Sequence, residues 1–124
     1  KLNFFQSSNI ENSWLKYDFL NRKISLSSYS IKTRTDEGEG WHHLTNWVLE
    51  GSNSDNDNDW MILDVRENFK LLDGAGLFHN FKVNGDHKNE FFRYIRIRQT
   101  GLNSAGYNYL TVKAIEFFGS ITFD

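Results

Sequence analysis

The sequence predicts an all-β fold built from mostly antiparallel strands. Its apolar residues come in short runs, and clusters of Gly, Asn, Asp and Ser separate one run from the next. No stretch of useful length repeats its apolar residues with a helical period. A chain of 124 residues is long enough for one hydrophobic core, and eleven Phe, five Tyr and four Trp supply the rings to fill it.

Seven apolar runs are predicted to be strands, and polar turn sequences lie between them. The predicted strands span residues 14–20, 24–33, 45–51, 60–66, 77–83, 91–99 and 109–118. In the sixth strand, Ile95 and Ile97 alternate with Tyr94, Arg96 and Arg98, so one face is aliphatic and the other carries guanidinium groups beside an aromatic ring. Trp47 lies at the start of a central strand, in the string NWVLEGS, and is predicted to be in the core.

Composition excludes several classes of partner. The formal net charge is -2 with mixed signs, which argues against a nucleic-acid-binding stripe or a basic membrane-binding face. The chain has no cysteine and no apolar run long enough to span a bilayer, so we expect neither disulfides nor a membrane span. These features favour an intracellular, cytoplasmic location. Because the chain begins at Lys1 without a methionine, we expect residues 1–124 to be a single domain of a longer protein.

Four strings in order carry a family resemblance. They are WLKYDFLNRKISLSSYSIKTR, NWVLEGSNSDNDNDWMILDVREN, FFRYIRIRQTG and YLTVKAIEFFG, which together run from about Trp14 to Gly119. The chain resembles the discoidin domain, also called the coagulation-factor type C domain, and is most similar to the intracellular branch found with BTB and ubiquitin-ligase proteins. The resemblance implies an eight-stranded jelly-roll β-sandwich of galactose-binding type, without catalysis, whose loops hold ligands at one end.

The chain departs from this family at its beginning. The family's first strand and its usual disulfide are not recognised in the sequence. Either the first strand precedes Lys1, or residues 1–6 take its place.

Antiparallel order predicts which loops meet, independently of the family. The connections 34–44, 67–76 and 100–108 should emerge at one end together with the segment 3–13, which includes Phe4 and Phe5. This end is the predicted binding site because it gathers flat rings and groups that hydrogen bond to hydroxyls, amides or carboxylates. The candidate ligand-binding residues are Arg34, Trp41, His42, His43, Asn103, Tyr107 and Asn108.

Several of these residues have a structural alternative. Trp41, His42 and His43 either form a ligand platform or pack down as a core plug before the next strand. Arg96 and Arg98 either bind an anion or pair with a neighbouring acid such as Glu116.

Metal sites are not favoured by the spacing of the candidate ligands. His42 and His43 are adjacent, so their side chains diverge, and no Cys or nearby acidic pattern completes a tetrahedral zinc site. Asp55, Asp57 and Asp59 alternate like the start of a calcium loop, but Trp60 stands where an EF-hand needs glycine and the distal glutamate is missing. A solvated hairpin turn is the simpler interpretation.

No catalytic motif is present. The sequence lacks a G-x-S-x-G elbow, a cysteine nucleophile, a P-loop and a dinucleotide fingerprint. His42 or His43 beside Asp36 or Glu39 could form an acid–base pair, but nothing marks a nucleophile. The sequence therefore predicts a protein that is not an enzyme and that needs no cofactor.

Three functions remain open at this level. The first is recognition of a protein or peptide partner by the loop end, and the second is carbohydrate binding. For sugar binding, the resemblance implies roles for Arg34, His42, Asn103 and Tyr107. The third is a spacer domain without a ligand, and the oligomeric state is left open.

Overall fold

Nine strands and no helix make up the part of the chain that the structure describes. A computed structural model describes residues 4–36, 40–56, 58–87 and 89–123. The all-β prediction is confirmed. The strands are β1 (Phe5–Gln6), β2 (Trp14–Asp18), β3 (Arg22–Lys32), β4 (Trp47–Ser52), β5 (Met61–Arg66), β6 (Phe78–Lys82), β7 (Tyr94–Gln99), β8 (Thr111–Val112) and β9 (Ala114–Phe123).

Two sheets form the sandwich, and every strand pair in them is antiparallel. One sheet has the order β2-β7-β4-β5 and the other has the order β6-β3-β9. The short strands β1 and β8 pair separately, with Phe5 opposite Val112. Residues 5 and 6 thus supply a strand near the start of the chain, whereas residues 1–3 of the predicted 1–6 segment lie outside the described residues.

The last predicted strand, 109–118, differs from the structure at both ends. It is divided into β8 and β9, and β9 continues through Gly119 to Phe123. Gly119 lies opposite Leu26, next to the register shift between Leu26 and Ser28 in β3. A Cβ atom on Gly119 would lie 2.1 Å from the carbonyl oxygen of Ser25. This glycine therefore permits close strand approach at a bulge and does not end the strand.

The hydrophobic core lies between the two sheets, as the alternation in the sixth predicted strand requires. Ile95 and Ile97 are completely buried, while Arg96 and Arg98 on the other face are only partly buried. Trp47 has 0% of its surface exposed, which confirms its predicted place in the core. Its ring packs edge-on against Phe81 at 5.2 Å and against Phe69 at 5.6 Å.

A buried polar network crosses this core. The indole Nε1 of Trp47 donates to the hydroxyl of Tyr29 at 2.9 Å, and that hydroxyl donates to Asp64. Arg66 holds the same carboxylate, with 2.9 Å between its Nε and Oδ2 of Asp64. Burial, followed by the charge of Asp64, raises the pKa of Tyr29 well above its usual value. The phenol therefore stays protonated and satisfies a buried carboxylate.

Arg96 and Arg98 are paired with an acid, but the partner is Glu50. Oε1 of Glu50 lies 2.8 Å from Nε of Arg96 and 3.0 Å from Nε of Arg98. Glu50 faces Arg96 directly across β4 and β7. The suggested pairing with Glu116 is wrong because Glu116 is on β9 in the other sheet, opposite Ser30.

Candidate ligand-binding site at the loop end

The loops predicted to gather at one end are joined by hydrogen bonds. The amide of Gly40 donates to Oδ1 of Asp73 at 2.8 Å, which links the 34–44 and 67–76 connections. The amide of Ser104 donates to the carbonyl of His43 at 3.0 Å, and the amide of Asn108 donates to Oδ1 of Asn9 at 2.8 Å. The prediction that these loops meet at one end is therefore confirmed for their described parts. Residues 37–39, including the Glu39 of the acid–base alternative, lie outside them.

Asn103 organises the loop that follows β7. Its Oδ1 accepts hydrogen bonds from the amides of Ala105 at 2.9 Å and Tyr107 at 3.1 Å, while its Nδ2 donates to the carbonyl of Tyr109 at 3.0 Å. Gly106 has a φ of +82°, the left-handed conformation that glycine adopts at least cost. The buried Asn103 side chain is fully engaged by the loop, so it acts here as a positioning residue.

A cluster of four rings, which we call the ring cluster, occupies this end: Trp41, His42, Tyr107 and Tyr109. The centroid of His42 lies 6.4 Å from that of Trp41, 5.4 Å from that of Tyr107 and 4.8 Å from that of Tyr109. Trp41 is 52% exposed and Tyr107 is 51% exposed, whereas His42 is half-buried between them. Two large rings therefore stand in solvent on a base of packed rings, and Trp41 is not a core plug.

The hydrogen bonds of Asn103 also orient His42. Nδ2 of Asn103 lies 3.1 Å from Nδ1 of His42. An amide nitrogen can only donate, so Nδ1 accepts and the neutral ring carries its proton on Nε2. His42 thus retains a donor, Nε2–H, for a ligand.

The neighbouring His43 has a different place. Its side chain is buried, with 1% of the residue exposed, and its backbone amide donates to Oγ of Ser104 at 2.9 Å. Oγ of Ser104 in turn donates to the carbonyl of Trp41. The structure shows the core alternative for His43, whose imidazole is buried while its backbone is hydrogen-bonded to Ser104. Its predicted ligand contact is not supported.

Arg34 is also buried and has its own partners. Its guanidinium holds Asp36 through two hydrogen bonds, Nε to Oδ1 at 2.7 Å and Nη2 to Oδ2 at 2.8 Å. The guanidinium carbon lies 3.5 Å from the centroid of the Phe4 ring. The hydrogen bonds from Arg34 lower the pKa of the Asp36 carboxyl to about 2. Arg34 therefore binds an internal carboxylate, and direct contact with a ligand would require Asp36 to move aside.

Asn108 borders a separate polar recess of about 250 Å³. Glu11, Asn12 and Gln99 contribute to its lining. Gln99 is buried, and its Nε2 donates to the carbonyl of Tyr109 at 3.0 Å. Its Oε1 has no hydrogen-bond partner among the residues that the structure describes. The recess is therefore lined by polar side chains beside the loop that carries Tyr107.

Metal ligation receives no structural support in the described ranges. Within 4–36, 40–56, 58–87 and 89–123, no group of three or more His, Asp or Glu side chains could hold a metal ion. Asp55 is paired with Lys16. Asp57, the middle residue of the proposed calcium tract, lies outside the described residues.

Sequence reasoning missed two members of the site. Tyr109 was placed at the beginning of a strand, yet its ring is the one nearest to His42. Ser104 was not singled out, although it fixes the backbone of both Trp41 and His43. The spacing of Tyr107 and Tyr109 was the available signal, since residues two apart in an extended segment face the same side.

The architecture matches solved carbohydrate-binding modules. A SusE-like protein has a TM-score of 0.73 at 15% identity, over 96% of this chain and 52% of that one. A CBM32 module from a family 31 glycoside hydrolase of Clostridium perfringens has a TM-score of 0.67 at 16% identity, over 94% and 75% of the two chains. A family 32 CBM of the same organism, solved with galactose, has a TM-score of 0.60 at 13% identity, over 92% and 74%. The chain has the discoidin-like, galactose-binding-like fold.

One curated relative of this galactose-binding-like domain has a clear sequence match. The E3 ubiquitin-protein ligase hecd-1 of Caenorhabditis elegans is 34% identical over 96 residues, which is 77% of this chain. The chain spans about 3% of the length of that ligase. No family model matches the sequence. Among the described residues there is no helix long and apolar enough to cross a membrane.

Proposed function

We propose that the loop end binds carbohydrate. The observation that carries this proposal is the ring cluster, in which Trp41 and Tyr107 are half-exposed and both pack against the oriented His42. Flat rings pack against the C–H faces of a pyranose, while nearby donors and acceptors select its hydroxyls. Loops on a rigid sandwich are a common location for such sites.

Each polar group has a distinct role in this proposal. Nε2–H of His42 donates to a sugar oxygen, because Asn103 already occupies Nδ1. The side-chain carbonyl oxygen of Asn108 provides an acceptor for a hydroxyl group in the adjoining recess. Asn103 holds the loop after β7, and Arg34 binds Asp36 within the 34–44 connection.

The comparisons support the carbohydrate-binding hypothesis over the hypothesis of protein or peptide recognition. The structural neighbours include modules named for carbohydrate binding, one of them in complex with galactose. Their identity to this chain is low, so the support is for the fold that presents the loops and not for a particular sugar.

A glycan array followed by calorimetry tests the proposal. The parent domain is screened against galactosides, glucosides, mannosides and amino sugars, and each hit is titrated with the parent, Trp41→Ala and Tyr107→Ala. Asn56→Ala is the matched control. Asn56 is exposed and lies in the turn after β4, whereas the ring cluster lies before the other end of that strand. We expect saturable binding that both ring variants weaken and that the control preserves. Absence of any glycan hit, or hits indifferent to both ring variants, would reject the proposal.

Protein or peptide recognition by the same surface is the second candidate. The match to a ubiquitin ligase favours it, and exposed aromatic residues are common hot spots of protein interfaces. In this reading residues 1–124 are one domain of a larger intracellular protein. A partner protein that co-purifies with the parent domain, but not with the Trp41→Ala or Tyr107→Ala variant, would support this candidate. Addition of the sugars found on the array should not release that partner.

A further inference from the structure

A second concave surface lies at the opposite end of the sandwich from the ring cluster. It is a cleft of about 490 Å³ between the turn that follows β4 and the segment before β7. Its floor is apolar and is formed by Trp60, Met61 and Phe92, and its rim includes Asn58, Asp59 and Glu90. The spacer and loop-end hypotheses leave this cleft without a role.

The floor of the cleft is held in place by the core. Phe92 is buried, and its backbone exchanges two 2.9 Å hydrogen bonds with Ile24. Gly51 makes room for its ring, since a Cβ there would lie 2.7 Å from Phe92. The Trp60 ring packs against the guanidinium of Arg96, 4.2 Å from the ring centroid. The cleft is therefore preformed and does not depend on a ligand to arrange its aromatic floor.

Two carboxylates on the rim of the cleft, those of Asp59 and Glu90, have no lysine or arginine partner among the described residues. The nearby cations have carboxylate partners: Lys16 has Asp55, Arg93 has Asp18, and Arg96 shares Glu50 with Arg98. The carboxylate of Asp59 makes no hydrogen bond or ion pair with another described residue.

The carboxylate of Glu90, on the same rim, contacts the imidazole of His87 and no other side chain among the described residues. Among the described residues, no lysine or arginine lines the cleft. The described lining of the cleft is thus complementary to a positively charged group.

We propose that this cleft binds an arginine or lysine side chain from an extended segment of a partner protein. Such a side chain has an aliphatic stem that packs on Trp60 and Met61 and a charged head that reaches Asp59 and Glu90. An anionic partner such as a nucleic acid is disfavoured by the same two carboxylates. The proposal is independent of sugar binding, because the two surfaces lie at opposite ends of β4.

The adjacent sheet edge explains why a side chain, and not an added strand, makes the contact. The outer edge of β5 is already used, since the carbonyl of Leu63 accepts from the amide of Gly85 at 2.8 Å. Asn84 likewise bonds to both the amide and the carbonyl of Val65. Strand addition along β5 is therefore blocked there, and insertion into the cleft at its beginning remains.

Titration with short peptides, followed by NMR, tests this inference. The probes are capped Ser/Gly peptides with a single central arginine, lysine, citrulline or glutamate, and the readout is the indole N–H signal of Trp60. We expect saturable shifts with arginine and lysine at millimolar concentration and much weaker ones with citrulline, which keeps the shape of arginine without its charge. Replacement of both acids, by Asp59→Asn with Glu90→Gln, should weaken arginine binding roughly fivefold to tenfold.

Glu67→Gln is the matched control, because Glu67 is an exposed acid outside the cleft. It should bind the arginine peptide like the parent, and the remaining amide signals report whether each variant is folded. Equal binding of citrulline, unchanged binding by the double variant, or a Trp60 shift with D-glucosamine but with no peptide would each overturn the proposal. Failure of the glycan array has no bearing on this result.

Discussion

Two groups of aromatic rings, one in the core and one at the loop end, have similar internal geometry but opposite surroundings. In the core, Trp47 and Phe81 meet edge-on at 5.2 Å with an interplanar angle of 82°. At the loop end, His42 and Tyr109 meet at 4.8 Å with an angle of 64°. Trp47 has 0% of its surface exposed, whereas Trp41 has 52%. Ring contacts by themselves do not distinguish a stabilising cluster from a binding surface; the fraction exposed does.

The two clusters differ in how much apolar ring surface is still exposed to water. The core rings have already lost their contact with water, so their apolar surface contributes to folding and nothing remains for a ligand. Trp41 and Tyr107 keep about half of their surface in solvent, and a partner can still bury it. Mutations in the two clusters should therefore separate stability from binding.

The largest effect is expected for Trp47→Ala. Removal of a fully buried indole leaves a cavity and removes the donor to Tyr29, so we expect a loss of about 3–5 kcal/mol in the free energy of unfolding. Chemical denaturation or a thermal melt measures it. A midpoint close to that of the parent would mean that the core cluster is not the stabilising one.

The next effect tests the polar network beneath the same rings. Tyr29→Phe keeps the ring but leaves the Trp47 indole without its acceptor and removes one donor from buried Asp64. We expect a loss of about 1–3 kcal/mol, the usual cost of unsatisfied buried polar groups. Equal stability of parent and variant in urea would show that the network contributes nothing to the core.

Trp41→Ala and Tyr107→Ala should reverse the pattern. Both rings are exposed, so the free energy of unfolding should change by no more than about 0.5 kcal/mol. Binding to the cognate ligand should weaken by about 2 kcal/mol, roughly thirtyfold. Paired melts and isotherms give both quantities. Early melting of these variants would mean that the ring cluster is structural.

The smallest effect concerns the support of the loop end by Asp36. Its pKa is lowered from 3.8 to about 2 in the folded protein, chiefly by the hydrogen bonds from Arg34. A lowered folded-state pKa contributes stability that is present above pH 3.8 and is lost as the pH falls through about 2. The stability difference between the parent and Asp36→Asn should therefore shrink across this interval.

Urea unfolding at several pH values measures this difference. Asp59→Asn is the matched control, since its carboxylate contacts no described cation. A difference between parent and Asp36→Asn that stays constant from neutral pH to pH 2 would contradict the assignment of the lowered pKa to this pair.

The sequence by itself determined the strands, their faces and the end at which the loops meet. Alternation is a local property, so the burial of Ile95 and Ile97 on one face and the place of Arg96 on the other face could be predicted directly. Antiparallel order then placed the 34–44 and 100–108 loops together without any knowledge of their conformations. The extent of β9 could not be read, because the bulge that Gly119 accommodates belongs to the partner strand β3.

The tertiary structure alone decided which residues of the loop end are exposed and which are buried. His42 and His43 are adjacent and chemically identical, yet Ser104, sixty-one positions after His43, fixes the backbone that turns one outward and the other into the core. The order of strands within the sheet likewise makes Glu50, and not Glu116, the partner of Arg96, because β4 lies next to β7. Such choices depend on contacts between distant segments, and the pattern of a single segment does not contain them.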